Sequence, residues 1–341
     1  MGLSILRNRD IAIDLGNNNT VVSDKDRILL AQPSYIAFDA GNHAVRAVGD
    51  EAFRMYEKSH DRLRTIKPLR GGVIADYDSA SRMISEMLEE ACTRRTFFSG
   101  YNNITSGIPY NTTEVERRAL RDALEQFDAR NTFMIYEPLA AAMGMGLDIR
   151  APQGKMLVDI GGGITEIVVI SLSGVATFQS LKVAGDTFDQ AIQDYFRRQC
   201  NIAIGLKTAE RIKIQVGAVC AEIEDAPMEM HVRGKDLKEG IPVVRVIDHH
   251  EVCYILEKSI ASIEHGIVQT LETCPPELAA DIYQGGIHVT GGSAMLRGLR
   301  ERWEKRIGLP VHIDPQPLYS VGRGVAHTLC DPAKFKSILF Q

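Results

Sequence analysis

Two hydrophobic periods alternate along the chain. Short apolar runs at 11–14 and 21–23 flank a polar turn, and the runs at 28–31 and 35–38 continue the strand pattern. The period then lengthens. Met83, Ile84, Met87, Leu88 and Ala91 fall on one face of a helix predicted over 80–94. Thr113-Glu114-Val115-Glu116 has the spacing of a capping box, in which hydroxyl and carboxylate each satisfy an open backbone N–H, so a helix start is expected there. Further helices are expected near 137–146, 186–199, 208–216, 251–273 and 295–306. Strands mixed with helices in this way predict α/β or α+β domains. A chain of 341 residues exceeds the usual single core of about 100–150 residues, so two domains are expected.

One internal echo matters more than any boundary. Ile13-Asp14-Leu15-Gly16 recurs half a chain later as Val158-Asp159-Ile160-Gly161. Each copy ends an apolar strand, enters a turn of small residues and resumes an apolar strand that carries a Thr. Glycines in a tight strand–turn–strand let backbone N–H groups approach an anion. An aspartate at the strand end repels a bare phosphate, and makes sense with a hydrated Mg²⁺ between them. Two such hairpins facing each other would clamp a nucleoside triphosphate in an interdomain cleft. Asp-x-Gly is also ordinary turn chemistry, a reading that suits one copy better than two.

Composition narrows the classes. A net charge of −5 argues against general nucleic-acid binding. The six cysteines are scattered without a CxxC pair, which suggests neither a zinc cage nor a disulfide framework. No apolar run reaches the ~18–20 residues that span a bilayer. The longest candidate, 156–172, is interrupted by Asp159, Glu166 and three consecutive glycines. The opening MGLSILRNRD is too short for the apolar region of a signal peptide and lacks the Ser or Thr of a myristoylation pattern. A cytoplasmic protein with at most peripheral membrane contact is expected.

Further segments carry a family resemblance. Tyr136-Glu137-Pro138-Leu139-Ala140-Ala141-Ala142 resembles the first connecting helix of actin-superfamily ATPases. Thr290-Gly291-Gly292-Ser293-Ala294-Met295-Leu296 resembles their adenosine motif. Ile74-Ala75-Asp76 and Leu278-Ala279-Ala280-Asp281-Ile282 are similar to segments of the MreB family, the filament-forming bacterial actins. With Asp159-Ile160-Gly161-Gly162-Gly163, these matches extend from near residue 11 to about residue 330.

The resemblance implies an α/β actin-like ATPase fold: two related large subdomains, with smaller inserted ones, around a nucleotide cleft. Subdomain IA would comprise 1–34 with 73–146 and 318–341, IB 35–72, IIA 147–185 with 249–317, and IIB 186–248. It assigns Asp14 and Asp159 to a Mg²⁺ ion held through water, and Gly16, Asn17, Asn18, Asn19, Gly161, Gly162 and Gly163 to the phosphates of ATP or ADP. Glu137 and Thr165 would orient the attacking water. Gly185 and Asp186 would pass near sugar and phosphates, Glu210 and Lys213 would contact ribose and adenine, and Gly291, Gly292, Ser293 and Met295 would close around the base.

Some of these residues have ordinary alternatives. Glu210 and Lys213, three apart on one helix face, also read as a surface ion pair. Glu137 before Pro138 is good helix-start chemistry, and a methionine such as Met295 is ordinarily core. Departures fall at the phosphate end: Asn17-Asn18-Asn19 stands where relatives usually carry Thr-Ala, Ile164 replaces a common Thr, Ser293 a common Gly, and Tyr136 an acid. They bear on hydrolysis rate more than on binding.

By the same resemblance, the chain would assemble head to tail into paired filaments on the inner face of the cytoplasmic membrane, with the cell-wall elongation machinery as partner. Phe97 and Phe98, flanked by Arg94 and Arg95, stand where MreB relatives carry a membrane-inserting loop, although the pair also suits a fold back onto the core. An FtsA-like actin homologue and a small-molecule kinase of the superfamily are the rival readings. Neither explains the MreB-like segments in both halves.

Overall fold

A computed structural model of the chain describes residues 9–58, 61–92, 101–127 and 129–341. Two compact units are present: the first runs to Ala151 and takes in Leu172–Gly174 and Leu318–Gln341, and the second comprises Pro152–Ser171 and Val175–Pro317.

In chain order the first unit carries β1 (Arg9–Leu15), β2 (Asn19–Ser23), β3 (Ile28–Pro33), β4 (Ile36–Asp39), β5 (Val45–Val48), α1 (Gly49–Met55), β6 (Leu63–Ile66), β7 (Leu69–Arg70) and β8 (Val73–Ile74). Then come α2 (Tyr77–Ala91), β9 (Tyr101–Ile108), α3 (Glu114–Glu125), β10 (Ala129–Tyr136) and α4 (Glu137–Gly144). Its main sheet has the order β10-β9-β1-β2-β3, with β1 antiparallel to β2 and parallel to β9. Strands β5, β4 and β6 form a separate small sheet. Ile11, Ala12, Ile13 and Leu15 are all buried, as a central strand covered on both faces requires. Met83, Met87, Ile104 and Leu124 pack in the same core.

The second unit continues with β11 (Lys155–Ile160), β12 (Thr165–Ser171), β13 (Gly174–Leu181), α5 (Gly185–Gln199), β14 (Ile202–Ala203), α6 (Leu206–Val216), β15 (Met230–Asp236) and β16 (Pro242–Ile247). It closes with α7 (His249–Glu272), α8 (Pro276–Gly285), β17 (Ile287–Thr290), α9 (Leu299–Ile307) and β18 (Val311–Ile313). Its main sheet, β13-β12-β11-β17-β18, repeats the first unit's topology: β11 is antiparallel to β12 and parallel to β17. The register repeats too. Leu15↔Thr20 closes the first hairpin with Asp14↔Val21 one pair behind, and Ile160↔Thr165 closes the second with Asp159↔Glu166 one pair behind. The sequence echo is therefore a structural duplication. Trp303, Phe188 and Phe196 fill the core of the second unit. Arg302 joins α9 to α7, with Nε 2.5 Å from Glu264 and a terminal nitrogen 2.5 Å from Glu257.

The last helix, α10 (Ser320–Cys330), belongs to the first unit and packs along α4, β1 and β9. The two helices approach closely because each carries small residues four apart: Ala140 and Gly144, Ser320 and Gly324. A Cβ at Gly324 would lie 1.7 Å from the Ala140 carbonyl oxygen, and one at Gly144 1.9 Å from that of Ser320. Only glycine permits this contact.

Three helices differ from expectation. α2 starts earlier than residue 80 because Asp76 accepts from the Ser79 N–H at 3.1 Å and caps it. The helix expected over 295–306 opens only at Leu299: Gly292–Met295 is a 3₁₀ turn, and Leu296 is extended (ψ 129). α8 was not expected, although Pro276 and Glu277 in its first turn are local start signals. The capping box is present, with Glu116 N–H donating to Thr113 Oγ1 at 3.3 Å and Thr113 N–H donating to Glu116 at 2.8 Å.

Candidate functional site

In the first unit, the turn after Asp14 is held through its carbonyls. The Ser34 hydroxyl donates to Gly16 O at 2.7 Å, and the Ser34 N–H donates to Asn18 O at 2.8 Å. Asn17 is buried, and its side-chain oxygen accepts from the Gly72 N–H at 3.5 Å. Asn18 carries a buried side-chain oxygen without a hydrogen-bond partner among the described residues. Either end of that amide can occupy the position, so the group can present N–H donors to an anion. Asn19 opens β2, and Asp14 is half-buried beneath the turn.

Glu137 opens α4, with Pro138 in the first turn. Its Cγ lies 3.1 Å from where a Cβ on Gly107 would stand. The side chain borders a solvent-open recess of about 290 Å³ shared with Leu15, Gly72, Gly107 and Thr112. In the first unit, then, a carboxylate reaches a small space beside the strand ends.

The second unit brings more of the expected residues together. The Gly161 N–H donates to Ile164 O at 3.1 Å and closes the glycine turn. Helix α5 is locked to that turn, since Gly185 N–H donates to Gly161 O at 3.1 Å and Asp186 N–H to Gly162 O at 2.8 Å. The Ser293 hydroxyl donates to Gly161 O at 3.2 Å. Asp159 pairs in register with Thr290 of β17, which carries Gly291 to the aspartate. Gly291 has φ +85, and a Cβ there would lie 2.4 Å from Asp159 Oδ1. A side chain at 291 is excluded on both counts. Gly163 and Gly292 are half-buried in these same loops.

Asp159 is only 9% exposed, and burial pushes its carboxyl up to about 6. No cationic side chain among the described residues offsets that burial. A hydrated divalent cation would offset it, so the donor chemistry fits Mg²⁺ held through water.

Lys213 is not paired with Glu210. Its ammonium donates to Gly185 O at 3.1 Å and to Asp189 at 3.0 Å, which places a cation at the start of α5. Asp189 is a residue that sequence reasoning missed. Burial raises its carboxyl to about 6, against the opposing pull of Lys213. The available signal was an acid between Phe188 and Ile192, on the buried side of α5. Glu210 is half-buried one helical turn before Lys213. Met295 is 66% exposed and so is available to a flat ring. Thr165 is fully buried, and its hydroxyl donates to Val183 O at 2.6 Å. Phe97 and Phe98, with Arg94 and Arg95, lie outside the described residues. Among the described residues, no helix is long and apolar enough to cross a membrane.

The cell shape-determining protein MreB of Escherichia coli K12 is 39% identical over 320 residues, covering 92% of this chain and 91% of its own. The cell shape-determining protein Mbl of Bacillus subtilis 168 is 38% identical over 320 residues, covering 93% and 95%. The crystal structure of MreB5 of Spiroplasma citri bound to AMPPNP superposes with a TM-score of 0.89 at 31% identity, covering 97% of this chain and 98% of that one. The fold is the actin-like fold that the resemblance implies. The family model for MreB/Mbl protein matches residues 8–337, and the chain belongs to that family.

Proposed function

We propose that the chain binds Mg-ATP with both half-sites, hydrolyses it slowly and uses the nucleotide state to control its own assembly into head-to-tail, paired filaments. The observation that carries this reading is the buried Asp159 carboxylate, with no offsetting cation among the described residues, packed against Gly291 beside the Gly161 turn. Asp14, at the equivalent register of the first hairpin, would supply a second outer partner of the ion. Mg²⁺ would neutralise charge on the phosphates, while this chain's own groups bind and orient. The relative bound to AMPPNP at 31% identity supports nucleotide binding. Glu137 would orient the attacking water, and Met295 with Gly292 would cover the base.

Assembly separates this reading from a kinase. Phosphate release is expected to rise steeply above a threshold protein concentration and to need no acceptor metabolite, because nucleated growth is nonlinear. Release measured across a dilution series, with the pelleted fraction followed in parallel, tests this. A linear dependence with strong stimulation by a sugar or small acid would sink the filament reading.

We place the filaments at the inner face of the cytoplasmic membrane, guiding cell-wall synthesis and cell shape. Support comes from the family and from the Arg94-Arg95-Thr96-Phe97-Phe98 segment. One Phe pair contributes only a few kcal/mol, at ~1.5–3 kcal/mol per fully buried ring, so many copies along a filament are needed. Replacing Phe97 and Phe98 with Ser should abolish co-sedimentation with anionic liposomes and leave filaments intact. Undiminished liposome binding by the double variant would exclude this anchor.

A further inference from the structure

The first unit holds an aromatic cluster that the proposed chemistry does not use. After α10, residues 331–341 run back to the edge strand of the main sheet. Phe335 and Ile338 are the buried anchors of this strap. Phe340 then pairs with β10: its N–H donates to Met134 O at 3.1 Å, and its carbonyl accepts from the Met134 N–H at 2.7 Å. The Phe340 ring lies 4.9 Å from that of Tyr136, with 44° between their planes. Tyr110 meets Tyr136 edge-on at 4.8 Å, and the Arg117 guanidinium lies 5.4 Å over Phe340. Such ring pairs favour defined relative geometries, so they orient as well as bury.

Tyr136 ends β10, and Glu137 opens α4 with no residue between them. The backbone turns from strand to helix at Tyr136 (φ −64, ψ 128), and no side chain caps the helix there. The direction in which Glu137 leaves the sheet is thus set at a corner held by ring contacts. The rest of α4 is held by α10, through Gly324 against Ala140. Val321 of α10 reaches Gly107 as well, with Cγ1 3.3 Å from where a Cβ there would stand, beside Glu137 Cγ at 3.1 Å. One continuous segment, 320–341, therefore packs along α4 and holds Tyr136 at the corner before it.

We infer that Phe340 is a positioning residue for Glu137, acting through Tyr136. The inference rests on the water-orienting part proposed above for Glu137. Loss of the ring frees the corner and lets the carboxylate drift, and a misplacement of ~1 Å is enough to slow a positioned reaction substantially.

The test compares Phe340→Ala, Phe340→Tyr and Glu137→Ala in the full chain. Phosphate release at saturating Mg-ATP is normalised to pelleted protein, and ATP affinity is measured separately by titration. Phe340→Ala is expected to slow release roughly tenfold, with ATP affinity within about twofold of wild type, and Phe340→Tyr to restore the rate. A slowing that Phe340→Tyr does not rescue, or one matched by an equal loss of affinity, marks a merely structural role and overturns the inference. If Phe340→Ala does not fold, Phe340→Leu keeps apolar bulk without the ring, and a wild-type rate in that variant overturns it too. A wild-type rate for Phe340→Ala beside a slow Glu137→Ala removes the inference alone, whereas a wild-type rate for Glu137→Ala removes the reading beneath it.

Discussion

Asp159→Ala is expected to cut Mg-dependent ATP affinity by about 10- to 100-fold, the range seen when a residue that orients a metal's own ligands is lost. The fold should survive. Asp159 lies in a strand whose neighbours Met156, Leu157, Val158 and Ile160 are buried and apolar, and its carboxylate contributes nothing to that packing. Removing it should even relieve the nucleotide-free protein. Folding raises this carboxyl from its ordinary 3.8 to about 6, so the folded state binds the proton more tightly than the unfolded chain does. The stabilising contribution is complete below about 3.8 and is lost as pH rises through about 6. Above pH 6, wild type carries a penalty that Asp159→Asn lacks, at most ~3 kcal/mol for a shift of this size. Nucleotide-free Asp159→Asn should therefore melt at a higher temperature than wild type at neutral pH, and Mg-ATP should stabilise it far less. Calorimetric titration and melting curves across pH 5–8 measure both effects. Wild-type affinity is also expected to fall as pH drops below about 6, because the ion needs the charged form. Unchanged affinity in Asp159→Ala would remove the two-hairpin clamp.

The parts of the site that were legible in the sequence are those written locally. The paired Asp-x-Gly turns could be found because strand period and turn glycines sit within ten residues of each other, and the shared register of Asp14 and Asp159 follows from equal turn lengths. The capping box at Thr113 is equally local. Long-range partners left no such trace. The helical spacing of Glu210 and Lys213 suits an ion pair or a shared ligand contact, but does not give Asp189, 24 residues earlier, which holds Lys213 across two helices. Gly291 could be read as a loop glycine, but not as a residue pressed against Asp159, because that contact depends on β17 pairing with β11. Position alone does not give the bond from the Thr165 hydroxyl to Val183 O, which lies just after β13. α8 was missed because its start signals surround a weakly periodic segment in which only Ile282 is buried. Tertiary pairing decided each of these, and one sequence does not record it.

Glu137→Ala is expected to separate binding from chemistry. The side chain stands at the first residue of α4, beside Gly107 and the recess that reaches Leu15. Glu137 belongs to the first unit, whereas the glycine turn of β11 and β12 and Met295 belong to the second, so its proposed part is in the chemistry and not in holding the base. ATP affinity should therefore stay near wild type. Phosphate release should slow by about 10²-fold, the usual worth of a positioned acid–base group. Filaments should still form, and should persist longer, because ATP-bound subunits accumulate within them. The truncation leaves the helix start intact, since Pro138 remains in the first turn and Tyr136 keeps its aromatic contacts. Glu137→Gln adds a finer discrimination: it keeps the size and hydrogen-bonding reach but cannot accept a proton. A Gln variant as slow as Ala assigns the carboxylate to proton transfer, and one with an intermediate rate assigns it to orientation. Stopped-flow phosphate detection beside sedimentation distinguishes these outcomes. Release at the wild-type rate in Glu137→Ala would move the chemistry elsewhere, and complete loss of ATP binding would make Glu137 a structural residue of the strand-to-helix corner.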